Sequence, residues 1–159
     1  MRIRLVAVGH RQPAWVETAF EEYAKRMPAE ARIELVAIKP EPRPDTAGEA
    51  AVERLLEREA RRIDAALPEG VLRVVLDERG KQVTTRELAV LLERWMNSGR
   101  DVGMVIGSAD GLHQAIKSTA DVTLSLSSLT LPHGMVRVLL AEQLYRALSL
   151  LKGHPYHRD

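Results

Sequence analysis

Val102-Gly103-Met104-Val105-Ile106 is a run of five uncharged residues, and Gly107-Ser108-Ala109-Asp110-Gly111 follows it directly. A short apolar run closed by glycines reads as a strand buried on both faces. Such strands belong to parallel sheets covered by helices. Working outward, residues 71–76, 122–126, 3–8 and 33–38 repeat the pattern. Between them the hydrophobic period changes to that of helices. Residues 14–26 carry Trp15, Ala19, Phe20 and Tyr23 on one stripe, and residues 49–66 carry Val52, Leu55, Leu56 and Ile63. Thr84-Thr85-Arg86-Glu87 has capping-box spacing ahead of a helix over residues 88–96. A short helix follows Gly111, and a long one runs over residues 133–151. Five strands alternating with five helices predict an α/β fold, a mostly parallel sheet flanked by helices, in a single domain.

Composition narrows the chemistry. The 159 residues contain no cysteine, which excludes disulfide scaffolds, cysteine-ligated metals and thiol catalysis. Lys plus Arg total 23 against 22 Asp plus Glu, so any contact with nucleic acid must be local. No apolar run approaches the ~18 residues of a membrane span, and the alternating start Met1-Arg2-Ile3-Arg4-Leu5-Val6 is unlike a signal peptide. The expectation is a soluble, cytoplasmic protein that uses neither membrane nor metal. Three prolines on alternate residues (Pro40, Pro42, Pro44) rule out helix and central strand there, leaving an exposed connector.

In parallel sheets, ligands gather at the carboxyl ends of strands. The loops after Leu76, Ile106 and Leu126 therefore draw attention. Gly103, Gly107 and Gly111 are spaced by four, which fails the dinucleotide fingerprint, and no Gly-Lys-Ser/Thr closes a P-loop. Ser108 lacks the spacing of a nucleophile elbow. What remains is a glycine loop that either admits a ligand to the backbone or turns the chain for its own sake. In Leu126-Ser127-Ser128-Leu129-Thr130-Leu131-Pro132-His133, Pro132 suits a first helical turn and Thr130 is placed to cap it. The leucines of that loop also suit an apolar ligand with amide groups.

On the last helix, Glu142, Arg146 and Ser149 share one side, while Arg137 lies opposite among Ala141, Leu144 and Leu148. Apolar residues cover most of the remaining circumference, so this helix is expected to pack on two sides, one of them a homodimer interface. Arg137 needs an anionic or carbonyl partner, either structural or in an active site. The tail His154-Pro155-Tyr156-His157-Arg158 suits stacking on bases and gripping phosphates, if it is not simply frayed.

These residues carry a resemblance. Val6-Ala7-Val8-Gly9, Leu76-Asp77 with Gly80-Lys81, Val105-Ile106-Gly107 with Asp110-Gly111-Leu112, the loop 124–133, and Arg137, Leu140, Glu142-Gln143, Tyr145-Arg146-Ala147 stand in order, closed by the His-Pro-Tyr-His-Arg tail. The whole chain resembles the small bacterial members of the SPOUT methyltransferase superfamily. The resemblance implies a homodimer with a C-terminal trefoil knot, a topology that chain-connection rules would not suggest. It implies S-adenosyl-L-methionine as cofactor and ring nitrogen N3 of a pseudouridine as target, in 23S rRNA within the ribosome. It places the cofactor against Leu76, Gly107, Leu126, Ser127, Ser128, Leu129, Thr130 and Leu131. Ser108 departs from the family's usual glycine, and its hydroxymethyl group either narrows the pocket or adds a hydrogen bond.

Transfer to N3 needs a proton removed and the resulting anion stabilised. The catalytic candidates are His157 or its neighbour Tyr156 as base, with His133 as runner-up, and Arg137 or Arg158 to meet the negative charge. Two rival readings stay open: a SPOUT enzyme acting on transfer RNA or unmodified uridine, and a non-catalytic RNA- or ligand-binding dimer.

Overall fold

The computed structural model describes residues 1–9, 11–46 and 48–158. Its strands are β1 (Arg2–Val8), β2 (Arg32–Ile38), β3 (Leu72–Gln82), β4 (Val102–Ile106) and β5 (Val122–Ser125). All pair in parallel, in the order β2-β1-β4-β3-β5. Every residue of the central β4 is buried, as its uncharged sequence requires.

The helices are α1 (Ala14–Ala24), α2 (Glu49–Ala66), α3 (Thr85–Ser98), the single turn α4 (Gln114–Lys117) and α5 (His133–Leu151). Alternation along the strands divides the core into two layers. Ile3, Leu5, Ala7, Val74 and Met104 face one cluster with Phe20, Leu92, Trp95, Leu140 and Leu144 of α1, α3 and α5. Val6, Val8, Val75 and Val105 face the other, with Ala60 and Ile63 of α2 and Ile116 of α4. The Thr84–Glu87 capping box forms in both directions, starting α3 where its spacing predicts.

Four local expectations need correction. First, the third strand does not end at Leu76. After a bulge over residues 77–80, Lys81 and Gln82 resume pairing with Leu124 and Ser125. The chain can return because residue 80 is glycine; a Cβ there would lie 2.6 Å from the Leu124 carbonyl carbon. Second, Thr130 does not cap α5. The N-cap is Pro132, with no side-chain cap, so Thr130 sits two residues too early to reach the first amides. Third, the side of α5 that carries Glu142, Arg146 and Ser149 is not open to solvent along its whole length, since α1 and α3 both pack on this helix. Even Ser149, placed on the polar side, is buried, its hydroxyl donating to the Arg146 carbonyl. Fourth, the tail is folded. Gly153 adopts φ 65°, its N–H bonds Leu150 O at 3.3 Å and the His154 N–H bonds Ser149 O at 2.9 Å, closing a Schellman motif before a 3-10 turn over Pro155–Arg158.

Candidate active site

The carboxyl ends of β3, β4 and β5 and the first turn of α5 enclose a cleft of about 670 Å³. That lies within the range of about 300–1,000 Å³ usual for small-molecule sites. Leu76 and Gly107 line it, as do Leu126, Ser127, Leu129, Thr130 and Leu131; Ser128 does not. All three loops singled out from strand ends therefore meet at one place. The cleft also takes in Asp77, Glu78, Arg79, Asp110 and Lys117, which sequence reasoning missed. The bulge that brings in residues 77–79 depends on a pairing between distant strands, so no local pattern announces it.

The walls are ordered by local bonds. Ser127 Oγ accepts from the Leu129 N–H at 2.9 Å, and buried Ser125 donates its hydroxyl to the Ser127 carbonyl at 3.0 Å. This leaves Leu129 74% exposed at the mouth, an apolar surface open to a ligand. Asp77 meets Lys117 at 3.0 Å and accepts from the Arg79 N–H. Burial pushes the Asp77 carboxyl up, but the Arg79 amide and Lys117 outweigh it and hold the group below the usual carboxylate range. Leucines, paired charges and loop backbone line one cleft, a mix that suits a small ligand with apolar and polar parts.

Gly107 is glycine for an internal reason. A Cβ there would lie 2.7 Å from Gly111 O and 2.8 Å from Leu112 Cγ, so the loop closes on itself at that point. Its carbonyl lies 3.1 Å from His133 Nδ1, and His133 Nε2 accepts from Arg137 Nε at 3.0 Å. Arg cannot accept, so His133 is neutral, with its proton on Nδ1 donated to Gly107. Burial, then the Arg137 charge, push its pKa down; the Gly107 bond opposes them only in part. Nε2, the nitrogen a base would use, is held by Arg137 in this arrangement. Arg137 is only 4% exposed, and its Nη2 finds no partner among the described residues. A buried, half-satisfied guanidinium is costly to the fold.

The other candidates are placed elsewhere. Neither Arg137 nor Tyr156, His157 or Arg158 lines the cleft. Tyr156 donates its hydroxyl to Glu142 Oε1 at 3.0 Å, packs on the Tyr145 ring at 4.6 Å and lies beneath the Arg146 guanidinium at 4.9 Å. Burial, then the hydrogen bonds to Tyr23 and Glu142, push its pKa up, so the hydroxyl stays protonated as the donor to Glu142. His157 Nδ1 is buried without a hydrogen-bond partner among the described residues. Glu142 lies nine residues beyond His133, about 13 Å along α5 at about 1.5 Å per residue. Among the described residues, no three His, Cys, Asp or Glu side chains converge as a metal site would need. No helix among them is long and apolar enough to cross a membrane.

A family profile described as "Predicted SPOUT methyltransferase" matches residues 1–157. The chain belongs to the SPOUT methyltransferase family. It is 56% identical over 158 residues to proteins of Burkholderia mallei and Burkholderia pseudomallei, each named "Ribosomal RNA large subunit methyltransferase H", with 99% of either chain covered. Among solved structures, a probable methylase family protein of Haemophilus influenzae superposes with a TM-score of 0.59 at 16% identity, covering 98% of this chain and 69% of that one. A probable methyltransferase of Bordetella pertussis gives 0.59 at 23% identity, covering 92% and 93%. These likenesses show the fold alone. The profile and the 56% identical relatives make this SPOUT methyltransferase an enzyme, built on a five-stranded parallel sheet.

Proposed function

We propose that this enzyme transfers the methyl group of S-adenosyl-L-methionine to ring nitrogen N3 of a pseudouridine in 23S rRNA of the assembled ribosome. It acts in the cytoplasm, as a homodimer of single-domain chains. The observation that carries the reading is the convergence of the Leu76, Gly107 and 126–131 loops on one leucine-lined cleft, in a chain 56% identical to ribosomal RNA methyltransferases throughout. A knotted C-terminal segment is part of this reading.

The cofactor supplies an electrophilic methyl group when bound. The chain supplies the rest. The leucines and the 126–131 backbone hold and orient the cofactor, and the closed Gly107 loop excludes water from one side. His157, half-buried in the tail turn, takes the N3 proton. Arg158, exposed on the tail, meets the negative charge that deprotonation leaves, and the buried Arg137 guanidinium acts through His133 at the cleft wall. Because the tail is docked on its own α5 well away from its own cleft, the tail of one subunit serves the cleft of the other.

The test uses ribosomes from a strain lacking this protein, treated with purified enzyme and cofactor, with the RNA mapped by mass. The reading expects one added methyl on one pseudouridine. Methylation of transfer RNA or of plain uridine, or no transfer at all, selects a rival reading.

A further inference from the structure

Glu59 falls on the apolar stripe of α2, beside Leu56, Ala60 and Ile63, and is only 2% exposed. A buried carboxylate survives only when paired. Arg43 supplies the pair with two parallel bonds, Nη1 to Oε2 and Nη2 to Oε1, both 3.0 Å, and the Glu41 N–H adds a third at 2.8 Å. The connector over residues 39–45, expected to be plain, is thus pinned to α2. Pro40, Pro42 and Pro44 fix φ on either side of Glu41 and Arg43, so less backbone freedom is lost when both dock.

The anchored guanidinium still has donors to spare, and they point one way. Arg43 Nε donates to Asp110 Oδ2 at 2.6 Å, and Nη2 donates to Ser108 Oγ at 3.0 Å. Ser108 and Asp110 line the cleft, whereas Arg43 does not. The Ser108 hydroxyl thus adds a hydrogen bond to this anchor. We propose that Arg43, anchored by Glu59, is a positioning residue that holds the 107–111 loop in its cofactor-binding shape by gripping Ser108 and Asp110. Cofactor affinity then depends on a residue outside the pocket. The inference rests on the cofactor reading above and deepens it.

A double-mutant cycle tests it, read as S-adenosylhomocysteine affinity by calorimetry and as amide exchange over residues 107–111. Asp110→Asn weakens binding about fivefold or more, and Asp110→Glu restores it to within about twofold. Arg43→Gln with Glu59→Gln removes both charges together, which avoids stranding either one. That background weakens binding comparably, and adding Asp110→Asn to it changes nothing further. Loop exchange rises in each weakened variant. Wild-type affinity in the Arg43→Gln/Glu59→Gln background overturns the proposal, as do additive losses, which would mean that Asp110 meets the cofactor itself. Should that background not fold, Ser108→Gly with Asp110→Asn severs the grip and leaves Glu59 paired; unchanged loop exchange then overturns the proposal. Wild-type protein that binds no S-adenosylhomocysteine refutes the cofactor reading instead, and the exchange measurement still decides whether Arg43 holds the loop.

Discussion

Replacing Gly80 with alanine probes the crossing on which the cleft depends. The added methyl would stand 2.6, 2.8 and 2.9 Å from the carbonyl carbon, nitrogen and Cα of Leu124. Ordinary contact begins near 3.4 Å, so the strands must part by about 0.8 Å. The opposing atoms are backbone, and they are held in register by pairing on both sides of the bulge, Leu76 with Leu124 and Gln82 with Ser125. No rotamer change relieves such a contact. Overpacking of this kind costs about 1–3 kcal/mol, and a rigid backbone neighbour places it in the upper half, about 2–3 kcal/mol. At about 2–4 °C per kcal/mol for a domain of this size, the melting temperature should fall by about 4–12 °C. Gly48→Ala is the control: its methyl meets nothing within 4 Å, so it costs only the loss of a tolerated helix N-cap, about 0.5–1 kcal/mol. Thermal unfolding followed by circular dichroism reads both variants. S-adenosylhomocysteine should raise the melting temperature of the control and have little effect on Gly80→Ala, whose displaced bulge distorts the cleft. A Gly80→Ala protein that melts within about 1 °C of wild type would refute the steric argument.

Removing residues 154–159 should leave S-adenosylhomocysteine binding intact and abolish methyl transfer. Mixing that chain with Leu131→Arg, which blocks the cleft but keeps the tail, should restore about a quarter of wild-type activity, since about half of randomly exchanged dimers are mixed and each has one competent site of two. No recovery in mixed dimers verified by mass would mean that each tail serves its own cleft. Arg137→Met removes a buried, half-satisfied charge, so it should match or exceed wild-type thermal stability while losing transfer about a hundredfold or more; a destabilised, active variant would make Arg137 structural. His133 has its folded pKa lowered from 6.5, so the unfolded chain binds the extra proton first. Its contribution to stability is complete above pH 6.5 and is lost as pH falls below it, and in urea titrations His133→Asn should show a smaller loss between pH 7 and 5 than wild type. An equal loss in both proteins would show that other groups govern the acid limb.

Much of this fold is legible in local pattern. Strand β4 could be read from five uncharged residues before a glycine, and α3 from Thr84 and Glu87, because burial on both faces and end-capping act over a few residues. The strand-end loops of the cleft follow from the parallel sheet alone, since its carboxyl ends share one edge. What only the tertiary structure decided involves partners far apart in sequence. The bulge at residues 77–80 exists because β3 resumes pairing with β5 beyond it, and a strand cannot signal its partner's register locally. Thr130 has the right chemistry for a cap, yet the helix begins at a point set by packing between α1 and α3. The tail looks loose in sequence because its binding surface, Glu142, Tyr145 and Tyr23, lies on two other stretches of chain. Glu59 left one trace, a charge on an apolar stripe. Its partner Arg43 left none, because a prolyl connector has no period, and the meeting of Arg43 with Ser108 spans 65 residues that only the folded sheet brings together.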